Sequence, residues 1–235
     1  LPSAYKLTTM KKITKGFLLS MVLTISFSCA NFKLGDYLLT QADAAGAIRQ
    51  MLEFGSQQNI SGAFSKNKVL ETLFPGDVAK VLNTLSTLGL TSEVDRFTNT
   101  LSSAAGNTAT AAVPIFVNSI NKINLRDAVS IVKNGGTAAT DYLRQNTGDT
   151  LRKSVSPIMQ NALNEYKLNE QFNKLIRPLK LVLGSKVNID LPTIMSGLIT
   201  DAIFNKIAEK EVEVRSLAAA RTTPLLQKVF SRTWN

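Results

Sequence analysis

The chain has 235 residues, with 27 Lys+Arg against 17 Asp+Glu, one cysteine and no histidine. The missing histidine removes the commonest general base, the commonest metal ligand and every Ser–His or Cys–His pair. With a single cysteine, an internal disulfide or a zinc site has no ligands either. The basic residues are scattered, without an aromatic-rich basic stripe, so nucleic acid is not an expected partner, and no cofactor or metal is expected.

Met10 opens the first readable segment. Lys11, Lys12 and Lys15 form a basic stretch, Phe17 to Phe27 is apolar, and Ser26-Phe27-Ser28-Cys29 closes it with a small residue before the cysteine. That order is a secretory signal, and its apolar part is shorter than the ~20 residues of a spanning helix. Cleavage before Cys29 would leave an N-terminal thiol for lipid attachment. The expected organisation is an upstream extension and lipoprotein signal over 1–28, a tether over 29–42, and one helical domain over 43–235. Residues 1–28 hold Lys6, Lys11, Lys12 and Lys15 and no acid, so a net charge of +10 falls to +6 in the mature chain. Such a surface is mildly attracted to anionic lipid.

From Ala44 to Phe54, apolar residues recur about one helical turn apart, and Gly55 suggests fraying or a stop. Asn59-Ile60-Ser61 matches a glycosylation sequon and reads as chance behind a bacterial-type signal. Val78, Val81, Leu82, Leu85 and Leu88 form the next helical stripe, ended by Gly89. Thr91 or Ser92 would cap a helix carrying Val94, Phe97 and Leu101. Ser102 to Val113 is rich in Ala, Thr and Ser. It reads as a helix with a small-residue face, with Gly106 and Pro114 predicting a kink or break.

Asn124 would start a short helix through Val132, ended by Asn134-Gly135-Gly136. Thr137 starts another with Tyr142 and Leu143. Gly135-Gly136 could offer backbone N–H groups to an anion, although such a pair more often makes a turn. Asp149 opens a further segment bent at Pro157, and Leu168 to Leu183 is helical in pattern with Pro178 as a break. The alternative there is a small hairpin over 179–189, turning at Gly184-Ser185. Asp190 caps the strongest helix, with Leu191, Ile194, Met195, Leu198, Ile199, Ile203 and Ile207 as its stripe. Glu209, Glu211 and Glu213, with Lys206 and Lys210, read as its solvated, ion-paired side. Glu211 and Arg215 stand in the favourable acid-first spacing. Arg221 to Phe230 forms a last short helix, and Trp234 packs back on the body or marks a contact surface. The fold class is all-α, an irregular bundle of short and medium helices.

Two Ser-x-x-Lys matches, Ser119 to Lys122 and Ser130 to Lys133, have the spacing that serine–lysine hydrolases use. Two hits in one helical chain show how easily the pattern arises.

Several segments carry a resemblance. They are Leu88-Gly89-Leu90; Ala112-Val113-Pro114 with Phe116-Val117; Ile131-Val132-Lys133-Asn134-Gly135-Gly136 followed by Thr137 to Leu143; and Ala219-Ala220-Arg221-Thr222-Thr223-Pro224 through Phe230. In this order and spacing, from Ala42 to Phe230, the chain resembles a bacterial domain-of-unknown-function family, number 4197. Thr137 stands where that family often has an acid. The resemblance implies a helical exported domain, often a lipoprotein, and brings no reaction, substrate or cofactor. Ala138-Ala139-Thr140 and Arg221-Thr222-Thr223 would either serve helix ends or form a polar rim. In the second case Tyr142, Arg144, Arg221, Thr222 and Thr223 would face a ligand or partner.

The function these readings favour is non-enzymatic. A domain lipid-anchored at Cys29 would sit in the periplasm, at the inner leaflet of the outer membrane, and bind a partner protein or an apolar ligand. A serine–lysine hydrolase and a structural subunit of an envelope assembly are the alternatives.

Overall fold

A computed structural model describes residues 38–183 and 189–234. Cys29, the export segment and most of the tether lie outside the described residues. Leu39–Asn235 forms one compact unit. Nine α-helices make up its regular structure, with no strand among the described residues.

The apolar stripe of Ala44, Ala47, Ile48, Met51 and Leu52 builds α1 (Gln41–Ser56), capped by the Thr40 side chain, which accepts from the Asp43 amide. A 3₁₀ turn (Ser61–Phe64) leads to α2 (Lys66–Leu73) and α3 (Val78–Thr87). Gly89, at φ +74°, ends α3. Its amide donates to the Ser86 carbonyl at 2.9 Å, and that of Leu90 donates to Leu85 at 2.8 Å, a Schellman closure that requires the left-handed conformation. The turn runs directly into α4 (Thr91–Lys122), whose N-cap is Leu90. Neither Thr91 nor Ser92 therefore caps it, contrary to expectation.

Helix α4 passes through Gly106 and Pro114 without a break, α6 (Ala138–Glu165) through Pro157, and α7 (Leu168–Leu183) through Pro178. A proline withdraws one amide from the carbonyl four residues earlier. Those carbonyls belong to Thr110, Lys153 and Lys174, all exposed residues, so water can serve them. The segment expected from Thr137 and the one expected from Asp149 are a single helix, α6. Leu168 to Leu183 form a helix, as the pattern predicts, and the alternative of a hairpin over 179–189 falls. Leu179 to Leu183 continue α7, leaving no first strand, while 184–188 lie outside the described residues.

Helix α5 (Ala128–Asn134) has Asp127 as its N-cap, three residues after the expected Asn124. The segment before it is held extended. Tyr142 Oη donates to the Asn124 carbonyl at 2.6 Å, and the Gln41 amide donates to the carbonyls of Leu125 and Arg126. The chain ends in α8 (Leu191–Ser216), a 3₁₀ turn (Ala218–Ala220) and α9 (Pro224–Phe230).

The bundle is organised around α8, which lies along both α6 and α1; α4 packs on α6 and also reaches α1 and α8, and α3 and α7 cover α4. The small-residue face of α4 (Ala104, Ala105, Thr108, Ala109, Ala112) is buried, and Thr108 Oγ1 lies 3.6 Å from Met159 Sδ of α6. Phe116 meets Phe204 edge-on, with ring centroids 5.4 Å apart. Helix α1 ends at Ser56, in the stretch from Gly55 where a stop is expected. Gly55 itself sits where α1 crosses α8, and a Cβ there would lie 2.5 Å from Ile207 Cα. Trp234 packs back on the body, its Nε1 donating to the Val229 carbonyl at 2.7 Å.

Candidate functional site

Helix α8 carries two polar arrangements, one facing solvent and one internal. The solvent-facing one is a groove of about 860 Å³. Its apolar floor comes from Ile60, Ala63, Ile194, Leu198 and Ala202, with Gly197 leaving backbone open between them. Lys68, Arg144, Asp201, Lys206 and Glu209 supply both signs of charge at the margin.

Arg144 of α6 lines both this groove and the hollow beside it. Its Nη1 lies 3.2 Å from Asp201 Oδ1, its Nη2 lies 3.4 Å from Asn205 Oδ1, and its guanidinium stacks 4.5 Å over the Phe204 ring. Arg152 approaches the same Asp201 carboxylate at 3.9 Å. Beyond this pair a second hollow of about 300 Å³ opens, lined partly by Gly148 and Thr200. The Arg144–Asp201 pair therefore stands as a partition between two concavities. Both side chains are more than a third exposed, so the pair itself contributes little to stability.

The internal arrangement surrounds Glu211, which is fully buried. This corrects the reading of Glu211 as part of a solvated face. Its Oε1 accepts from the Ala139 amide at 3.0 Å. Its Oε2 accepts from the Thr140 amide at 2.8 Å and from Thr140 Oγ1 at 2.7 Å. Thr137, the N-cap of α6, makes no side-chain cap to its own helix and donates instead to Asp141. A carboxylate from another helix thus satisfies the free amides at the start of α6, where the helix dipole favours an anion. Gly135-Gly136 makes the turn that such a pair more often makes, and the anion held nearby is the protein's own, on the Ala139 and Thr140 amides. Those glycines, at φ +70° and +54°, turn α5 sharply into α6 and bring the amides under Glu211.

Arg215 completes the clasp. Its Nε and Nη2 donate to Glu211 Oε1 at 3.0 and 2.8 Å, and its Nη1 and Nη2 donate to the carbonyls of Val132 and Ile131 at the end of α5. The guanidinium lies 5.2 Å from the centre of the Phe230 ring. Arg221 repeats the device at the end of α8, donating to the carbonyls of Val214 and Arg215 at 2.9 Å each. Amides and carbonyls left free at three helix ends are thus served by two arginines and one glutamate.

The family model of a protein of unknown function, DUF4197, matches residues 38–231. The chain belongs to the DUF4197 family. No curated protein and no solved structure matches it.

Two of the four segments that carry the DUF4197 resemblance, around residues 131–143 and 219–230, are brought together by the fold. Ile131 and Val132 give carbonyls to the clasp, Gly135-Gly136 makes its turn, Ala139 and Thr140 give amides, and Arg221 and Phe230 flank it. The five rim residues named from the sequence do not converge on one groove. Tyr142 holds the Asn124 carbonyl, and Arg221 holds the end of α8. Thr223 caps α9 by accepting from the Leu226 amide at 3.2 Å and donates to Gln50 Oε1 at 2.8 Å. Thr222 is exposed. Arg144 alone lines the groove. Its partners on α8 lie nine or more residues from those of Arg221, ~14 Å along the axis.

Sequence reasoning missed Asp201, Asn205 and Phe204, whose spacing marks nothing. Glu211 did have a signal, because it continues the Ile199, Ile203, Ile207 stripe at four-residue steps. A charge on an apolar stripe implies a buried, partnered charge. Lys122 and Lys133 of the Ser-x-x-Lys matches are both exposed, so neither is the desolvated lysine that serine activation needs. Among the described residues, no three His, Cys, Asp or Glu side chains gather as a metal site.

Proposed function

We propose that this DUF4197 chain is a non-enzymatic binding domain of the bacterial envelope. Lipid attached at Cys29 would hold it at the periplasmic face of the outer membrane, and the α8 groove would take a segment of a partner protein. The export-type order of residues from Met10 to Cys29 supports the anchoring. Two acyl chains make such an anchor stable where one is marginal.

The groove carries the binding reading. Its floor is apolar, its margin holds both signs of charge, and its volume is within the range of ligand sites. A purely apolar ligand would leave Arg144, Lys68 and Asn205 facing hydrocarbon, so a peptide segment of mixed character fits better. No catalytic role falls to the buried charges, since Glu211 and Arg215 are committed to helix ends.

Native mass spectrometry of the chain extracted from its own membrane tests both parts. The expected result is an acylated Cys29 with a bound mass that is lost in Leu198→Arg. An unacylated chain beginning at Met10 refutes the anchor. An acylated chain whose bound species ignores Leu198→Arg, or which carries none, refutes the groove.

A further inference from the structure

The second surface feature is on α7, away from α8. This helix buries Phe172, Leu175, Ile176 and Leu179 against the bundle, and its outer face presents Lys174, Arg177 and Lys180, all exposed. The three cations span six residues, ~9 Å along the axis. The three have no carboxylate partner among the described residues, as is also true of Lys122 and Lys153; what sets them apart is that they stand together on one exposed helix face. One acid, Glu170, shares the helix and lies one turn before Lys174.

We propose that this face of α7 rests on an anionic phospholipid surface. The inference builds on the membrane location proposed above. Three neighbouring cations against the single Glu170 leave the face net positive, which complements a sheet of phosphates, and a basic residue near such a surface raises partitioning by about fivefold. The apolar side of α7 is already used by the fold, so the contact is electrostatic, without insertion into hydrocarbon. It weakens as salt shortens the Debye length below the gap to the headgroups.

The test uses the full protein with vesicles of phosphatidylethanolamine plus phosphatidylglycerol, and with phosphatidylcholine vesicles alone. Amine-reactive labelling at Lys174 and Lys180 is compared with that at Lys122 and Lys153, also exposed, on α4 and α6. The expected result is labelling slowed at least about threefold at Lys174 and Lys180 only, with phosphatidylglycerol only, and reversed by salt. Arg177→Glu should restore their labelling without touching the two reporters. Equal rates at all four lysines overturn the proposal, as does protection on phosphatidylcholine or protection that survives Arg177→Glu. Acylation at Cys29 is read separately by intact mass, so a failed anchor and a failed α7 contact give different results.

Discussion

Replacing Glu211 by alanine should cost about 4 kcal/mol, because breaking a buried ion pair from one side costs ~3–5 kcal/mol. The variant leaves the Arg215 side chain, only 13% exposed, without its counter-charge, and strips the Ala139 and Thr140 amides of their acceptor. Glu209→Ala is the internal comparison. It removes an ion pair with Lys206 whose carboxylate is 59% exposed, worth a few tenths of a kcal/mol. Glu211→Gln keeps the shape and one acceptor oxygen but turns an NH₂ toward a donor, so it falls between, at about 2 kcal/mol. Glu211→Met with Arg215→Met should recover ~1–3 kcal/mol relative to the sum of the single changes. It should not reach wild type, since the carbonyls of Ile131 and Val132 also lose their donor. Urea unfolding followed by far-UV circular dichroism gives these differences from the midpoints at a common slope. If Glu211→Ala matches Glu209→Ala, or the double variant is additive, the clasp does not hold the helix ends together.

Three further substitutions test other contacts. Gly55→Ala places a Cβ 2.5 Å from Ile207 Cα, so it should lower stability by at least about 1 kcal/mol despite the better helix propensity of alanine; an unchanged urea midpoint would contradict this. Gly197→Ala meets only Arg152 Nε at 3.6 Å and should raise stability by ~0.5–1 kcal/mol, an effect visible as a higher Tm and refuted by a lower one. Thr223→Ala removes the α9 cap and the bond to Gln50 and should cost about 1 kcal/mol, with thermal unfolding as the measurement.

The helices were legible wherever apolar residues kept a helical period, as in α1, α3 and α8. The differences have two physical causes. A kink or break is expected at Pro114, a bend at Pro157 and a break at Pro178, yet each helix runs through, because the orphaned carbonyl belongs to an exposed residue and burial of the opposite helix face outweighs one lost hydrogen bond. Polar residues at 91, 92 and 124 were read as caps. The ends concerned are instead set by the Gly89 turn and by side chains from distant parts of the chain, Gln41 and Tyr142. Capping by a neighbour in space leaves no trace in local spacing.

The same limit explains why the site was only half visible. Arg144 was singled out from a segment near a helix start, yet its partners Asp201 and Asn205 come from a helix 57 and 61 residues onward. Glu211 and Arg215 were recognised as a pair and misplaced, because the i,i+4 rule fixes which side chains meet and not which face they share. The stripe through Ile199, Ile203 and Ile207 settles the face. Glu211 on that stripe must be buried, a buried carboxylate must be partnered, and the N-terminus of another helix is a partner that a bundle has to hand. The resemblance segments around residues 131–143 and 219–230 thus have a structural account as the two sides of this clasp. That account assigns Thr140, Arg221 and Phe230 to holding helix ends and leaves Arg144, which takes no part in it, as the residue on which a binding role can be tested alone.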